Sequence, residues 1–313
     1  MTVNIVTDST ADLPVQIAQE LGITVVPVYL CFGDKVYRDG VVAGLCWQCG
    51  STPGCPVHPT TSQPTPADFV SVYQELSKEA GEIVSIHLSA KTSGTYNSAL
   101  QGRELAATGG HIEVVDSFSV SMGLGLIAIA AARLAKAGES LQVVLEEIRQ
   151  AIPHIRLLGV FDTLKYLLLG GRISKAKAIV GSVLSVKPLI TMRDGELVQA
   201  GLSRTRAKGV ERLFDLVKGA LNIQEVAIVH STTPDEAGSL KERIASIFAR
   251  DRIHLARLGP GLGVHGGPGT LILALREKIS GIRQNAGEHE PSKKGFSLPS
   301  LHLPKLSFSC LHL

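Results

Sequence analysis

Ser89-Ala-Lys-Thr-Ser-Gly-Thr-Tyr-Asn-Ser98 concentrates hydroxyl and amide side chains directly after an apolar run, Ile83–Leu88. The run reads as a buried strand, and the pattern from Thr95 to about Ala107 reads as a helix. A strand that passes through hydroxyl residues into a helix leaves free backbone N–H groups aimed at one point. With the hydroxyls of Thr92, Ser93 and Thr95, they are suitable donors for a small anion such as a carboxylate or phosphate. Two further hydroxyl clusters are Pro59-Thr-Thr-Ser-Gln-Pro64, which holds Thr61 and Ser62, and Thr7-Asp-Ser-Thr-Ala-Asp12. Ser, Thr and Asp are ordinary helix N-caps, so each cluster alone also fits plain capping. Three of them, two at the carboxyl ends of strands, point to a shared binding edge.

Other residues offer chemistry of different kinds. Gly261-x-Gly263-x-x-Gly266 satisfies a dinucleotide-binding pattern, but no βαβ unit with a following acidic residue surrounds it. Its glycines instead let the backbone turn sharply and set His265 at a crevice. Arg172, after Gly170-Gly171, is an anion partner or docking arginine by its forked geometry, or part of a plain helix connection. Ser93 as nucleophile with His265 as base would give an acyl-ester or acyl-phosphate hydrolase or transferase. Cys46-x-x-Cys49, Cys55 and His58 have spacings that a zinc site uses, in a Gly- and Pro-rich segment. Asp8, Asp12 and Asp116 follow strands, and capping is their default role. Walker A, Gly-x-Ser-x-Gly and His-Glu-x-x-His patterns are absent, which removes the usual NTPase, α/β-hydrolase and zinc-protease readings.

The elements that must position these residues alternate. Val3–Val6, Thr24–Phe32, Ile83–Leu88, His111–Val115 and Arg156–Phe161 read as strands. Helical patterns lie between them near Leu13–Leu21, Pro66–Ala80, Thr95–Ala107 and Val120–Lys136, with another at Leu141–Ala151. This order predicts a mainly parallel sheet with helical crossovers over residues 1–160. A mixed α/β region is expected over 161–286, with a hairpin across Arg193-Asp-Gly195 and helices at Arg206–Leu221 and Pro234–Arg250. Strands Glu225–His230 and His254–Leu258 follow, then a glycine-dense loop to residue 269 and a last helix, Thr270–Lys278. Ala99, Gly102 and Ala106 share a helix face that either borders a channel or packs closely. Residues 287–313 have no sustained period and read as a disordered tail.

At 313 residues, 44% hydrophobic and 19% charged, the chain suits a globular protein with two well-filled cores. A net charge of +3 and 4% aromatics argue against nucleic acid as a partner. Met122–Ala132 is too short to span a bilayer, and Asp8 and Asp12 near the start speak against a signal peptide. Five cysteines without a leader argue against a disulfide framework. A cytoplasmic protein is expected.

The chain resembles the DegV family of bacterial fatty-acid-binding proteins. The matching pieces, in the family's order, are Thr7–Pro14, Pro59–Pro64, Leu88–Ala99, Val115–Ser117, Leu169–Ser174, Val186–Ile190 and His265–Gly269. The resemblance implies a two-domain α/β fold with one long-chain fatty acid buried in a tunnel. It implies that Thr61 and Ser93 hydrogen-bond the carboxylate, with Ser62 and Thr92 nearby and Arg172 and His265 facing a partner. That partner would be a dihydroxyacetone-kinase-like fatty acid kinase, which phosphorylates the acid to an acyl phosphate for phospholipid synthesis. The chain would then be a carrier rather than an enzyme, with no cofactor beyond its ligand, and with room for transient membrane contact. Residues 41–57 and 287–313 depart from the family pattern, as an insertion or as out-of-frame translation would. Intact mass of the native protein distinguishes the two.

Overall fold

Val3–Asp8 forms the first strand, β1, in the computed structural model of the protein, which describes residues 3–40, 58–78, 81–173 and 186–278. A single helical turn, Ser9–Ala11, leads to α1 (Val15–Leu21), which stops where Gly22 adopts a left-handed conformation. The expected strand Thr24–Phe32 is two strands, β2 (Thr24–Val26) and β3 (Tyr29–Phe32). Pro27 has no N–H to give a ladder, and the chain changes sheets there. Then come β4 (Lys35–Arg38), β5 (Thr60–Ser62) and α2 (Pro66–Ser77), whose Thr65–Asp68 capping box fixes its start. Next are β6 (Glu82–His87), α3 (Thr95–Ala106), β7 (Ile112–Asp116), α4 (Met122–Lys136) and α5 (Leu141–Ala151).

The later half holds β8 (Ile155–Val160), α6 (Lys165–Leu169), and the hairpin β9 (Lys187–Arg193) and β10 (Glu196–Ser203). Asp194 and Gly195 both take positive φ at its turn, as a twist-matched two-residue turn requires. After them lie α7 (Arg206–Lys218), β11 (Ile223–His230), α8 (Pro234–Ala245) and β12 (Ile253–Arg257). The chain closes with α9 (Pro260–Gly266) and β13 (Leu271–Glu277).

Two of these elements correct the sequence expectations. The glycine-dense stretch expected as a loop contains α9, and Leu271–Glu277, expected as a helix, is β13. The latter sits inside its sheet, and its apolar residues are buried on both faces, where periodicity cannot separate strand from helix.

Four strands form a parallel sheet in the order β2-β1-β6-β7, and β4-β3-β5 form a small antiparallel one. Six strands form a mixed sheet, β10-β9-β8-β13-β11-β12, with β11 and β12 parallel and the other neighbours antiparallel. β8, grouped with residues 1–160 by the sequence pattern, therefore pairs with the later strands. Both larger sheets lie within one compact unit, Met1–Ile279.

α4 lies between the two sheets. Every residue from Met122 to Ala132 is buried, and the largest core cluster joins Val84 and Ile86 of β6 to Ala227 and Val229 of β11 through this helix. A helix apolar on all sides needs such a double cover. The face with Ala99, Gly102 and Ala106 packs closely rather than bordering a channel. A Cβ on Gly102 would come 2.5 Å from the Cβ of Phe69 in α2.

Candidate ligand-binding site

In the parallel sheet the chain leaves β1 toward β2 on one side and returns to β6 on the other. The carboxyl ends of β1 and β6 therefore flank a crevice at a topological switch point, where open α/β sheets place their ligands. The hydroxyl loop Ser89–Ser93 emerges there. Ser89 N accepts no ligand role: it donates to Ser119 O at 2.9 Å, and the Ser89 hydroxyl donates to Gly195 O at 2.7 Å. The hairpin turn of the mixed sheet is thus pinned to the hydroxyl loop of the parallel one.

A cavity with about 850 Å³ of empty space, counting its open mouth, lies under this loop. Thr61, Ser62, Thr92, Ser93, Arg172 and His265 all line it, so six residues spread over 205 positions come to one place. Its remaining wall is mainly apolar, with Val28, Leu88 and Val120 facing Leu157, Phe161 and Ile190 from the other sheet. Among the described residues Arg172 is the single charged side chain of the lining, and no acidic residue lines it.

Several of the polar groups are held by neighbours. The Thr92 hydroxyl donates to Ser89 O at 2.9 Å. Ser93 Oγ lies 3.0 Å from Thr95 Oγ1, where either hydroxyl can donate, and accepts from Thr95 N at 3.3 Å. The Gln63 side chain lies against Gly94, where a Cβ would stand 3.0 Å from its Nε2. His265 Nε2 meets Thr61 Oγ1 at 2.8 Å. Burial lowers the His265 pKa to about 4, with the nearby charges of Arg172 and then His58 adding to the effect. The ring is therefore neutral near pH 7. Its buried Nδ1 has no hydrogen-bond partner among the described residues. A proton on Nε2 leaves only a lone pair unsatisfied at Nδ1, a smaller penalty than a stranded N–H. In that tautomer His265 Nε2 donates to Thr61 Oγ1, so the Thr61 hydroxyl proton is not spent on the ring.

The glycines around His265 serve close packing, not phosphate binding. Gly259 N donates to Asp12 Oδ1 at 2.8 Å and Gly261 N to Asp39 Oδ2 at 3.3 Å, so two buried carboxylates satisfy the first N–H groups of α9. A Cβ on Gly261 would come 2.7 Å from Val28 Cγ2. Burial raises the Asp12 pKa well above the carboxylate range, against the hydrogen bonds from Ser121 and Gly259. At the other end a Cβ on Gly170 would lie 2.0 Å from His265 Nδ1, and one on Gly267 would lie 2.1 Å from Tyr166 Cδ2. Arg172 stays exposed at the mouth, its Nη1 donating to Gly170 O at 2.6 Å.

Other sequence candidates resolve differently. The Ser93 hydroxyl pairs with Thr95 and the His265 ring with Thr61, so the two are not joined as nucleophile and base. Asp8 caps the turn after β1 and also accepts from Leu88 N at 3.1 Å; Asp116 accepts from Ala90 N and Phe118 N. Cys46, Cys49 and Cys55 lie outside the described residues, as does the tail 287–313. His58 stacks near Tyr166 with ring centroids 5.8 Å apart. Among the described residues no cluster of His, Cys, Asp and Glu has the makings of a metal site. Thr10, Gln63 and Thr270 also line the cavity. The first two sit within hydroxyl clusters visible in the sequence, whereas Thr270 carries no such signal.

The DegV family model (uncharacterised protein, DegV family) matches residues 2–278. A DegV domain-containing protein of Caldanaerobacter subterraneus subsp. tengcongensis is 33% identical over 282 residues, which cover 88% of this chain and 98% of the relative. A DegV family protein from Thermus thermophilus, whose structure is described as showing fatty acid binding, superposes with a TM-score of 0.81 at 32% identity. It covers 88% of this chain and 100% of its own. DegV of Bacillus subtilis, described as a fatty acid binding protein, gives a TM-score of 0.77 at 28% identity, with coverage of 89% and 100%.

Proposed function

The chain belongs to the DegV family, and from that premise we propose that it carries one long-chain fatty acid and presents its carboxylate to a partner kinase. The supporting observation is the cavity itself, whose apolar walls lead to a cluster of neutral donors with no acidic residue in the lining among the described residues. An acyl chain transferred from water into such a space is favoured by about 0.8 kcal/mol per buried methylene. Its carboxylate, in contrast, is costly to bury without hydrogen bonds. Thr61, backed by His265, and Ser93, backed by Thr95, each supply one O–H donor. Ser62 and Thr92 stand beside them, and Arg172 offers a cation at the mouth.

Donors of this kind hold the carboxylate while leaving one oxygen available to an approaching γ-phosphoryl group. That oxygen forms the new bond to phosphorus, the bond to the ADP oxygen breaks, and an acyl phosphate results. ATP and the groups that bind it belong to a dihydroxyacetone-kinase-like fatty acid kinase. Loading and release take place by transient membrane contact in the cytoplasm, and the acyl phosphate feeds phospholipid synthesis. No helix among the described residues is long and apolar enough to cross a membrane.

The test uses the protein stripped of lipid and reloaded with a long-chain fatty acid. With the kinase, Mg·ATP and hydroxylamine, acyl hydroxamate should form at a rate that depends on the loaded carrier. No hydroxamate from a saturated carrier with an active kinase would reject presentation, while leaving binding to be judged separately.

A further inference from the structure

We propose that Ser89 is a positioning residue, the joint through which the β9–β10 hairpin sets the affinity of the carboxylate site; the inference rests on the fatty-acid reading above. Ser89 is fully buried and lies behind the cavity lining rather than in it. It therefore acts on a ligand only through its neighbours. On the side of the site, its carbonyl accepts from Thr92 N and Thr92 Oγ1, each at 2.9 Å, and from Ser93 N at 3.2 Å. Both neighbours line the cavity, so a shift of this one carbonyl carries them with it.

The opposite side of Ser89 is fixed by the other sheet. Its hydroxyl donates to Gly195 O at 2.7 Å, across 106 positions of sequence. Local turn formation does not need this bond, because the same hydroxyl accepts from Lys91 N at 3.3 Å as any serine turn does. Gly195 is also more than a turn residue. Its φ of 78° suits asparagine as well as glycine, but a Cβ there would stand 2.5 Å from Ser89 Oγ and 3.0 Å from Phe118 Cδ1. The Asp116 carboxylate holds this arrangement together, accepting from Ala90 N at 3.2 Å and from Phe118 N at 2.8 Å. One carboxylate thus bonds both the residue after Ser89 and the aromatic residue that closes over Gly195.

The hairpin has its own share in the cavity, since Ile190 of β9 and Leu197 of β10 belong to the apolar wall. The wall that an acyl chain lies on and the loop that holds its carboxylate are therefore kept in register by the bond between Ser89 and Gly195. This is a contiguous path of printed-length hydrogen bonds from one sheet to the donors of the other.

The experiment measures palmitate affinity of the full chain, by displacement of a fluorescent fatty acid, with folding followed by circular dichroism. Ser89→Ala should weaken binding roughly 3–10-fold, the size of one lost hydrogen bond. Adding Ser93→Ala to it should cost less than about twofold more, whereas adding Thr61→Val should cost as much as it does alone. A bond that only stabilises the fold would leave both additions at full cost. Gly195→Ala breaks the same contact from the hairpin and should match Ser89→Ala; the two disturb different sheets and do not share a route to misfolding. Wild-type affinity in either folded variant, or full additivity with Ser93→Ala, would overturn the joint while leaving the carrier reading intact. A wild-type protein that does not bind palmitate would reject the carrier reading itself, and the joint with it.

Discussion

His265 shows how a single side chain ties the site to stability. It is 9% exposed and its pKa in the folded protein is about 4, against an ordinary value of 6.5. As pH falls through that interval the unfolded chain takes up the proton first, so the folded state loses stability between pH 6.5 and 4 and keeps it in full above. The loss amounts to roughly 3 kcal/mol at most. His265→Gln should flatten this part of the pH dependence, read as urea midpoints across the same range; an unchanged slope would mean that other groups carry it. Residue types were legible in the sequence here: the hydroxyls of Thr61, Ser62, Thr92 and Ser93 and the isolated Arg172 and His265 all line one cavity. The pairing of Thr61 with His265 was not legible, because a contact between residues 204 positions apart leaves no local pattern.

At the scale of elements, α9 is the informative case. Its glycine content disfavours a helix, which is why the sequence suggests a loop. What makes it helical is tertiary: Asp12 and Asp39 receive its first N–H groups, and the absent side chains let it press against Val28. The same close approach at α6 gives a test. Gly170 has a helical φ of −77°, so alanine is tolerated by the backbone, yet its Cβ would fall 2.0 Å from His265 Nδ1. Gly170→Ala should therefore lower stability by about 1–3 kcal/mol through overpacking and displace His265 from Thr61. Thermal unfolding together with lipid retention measures both effects; a variant with wild-type values in each would show that α6 moves aside freely. The hairpin at Arg193-Asp-Gly195, by contrast, was readable from its turn residues alone, because positive φ at two successive positions is a local demand.

Across the whole molecule, the two large sheets share α4, and a buried charge cluster supports that arrangement. Glu225 of β11, 2% exposed, meets Arg133 of α4 at 2.6 Å, His254 of β12 at 3.0 Å and Arg276 of β13 at 3.2 Å. Burial alone would raise its pKa, but the His254 hydrogen bond and the charges of Arg133 and Arg276 outweigh burial and hold it below the usual carboxylate value. Glu225→Gln leaves Arg276 with Glu147 at 2.6 Å, so the expected destabilisation is near the lower end for breaking a buried pair, about 3 kcal/mol. Denaturant titration measures it, and a loss well under 1 kcal/mol would mean that the cluster is solvated. The alternation of strands and helices made the parallel sheet legible. The mixed sheet was less so, since β13 pairs with β8 from more than a hundred residues away and its apolar run Leu271–Leu275 fits either strand or helix.

In the proposed function this cavity holds a fatty acid by its carboxylate at Thr61 and Ser93. Mass spectrometry of an organic extract from freshly purified protein tests it most directly, with Thr61→Val/Ser93→Ala purified in parallel. Wild type should release close to one long-chain fatty acid per chain. The double variant should retain it roughly 10–100-fold more weakly, as expected when a charged group loses hydrogen bonds worth ~1.5–3 kcal/mol. An empty wild-type extract, or equal retention by the two proteins, would contradict the claim.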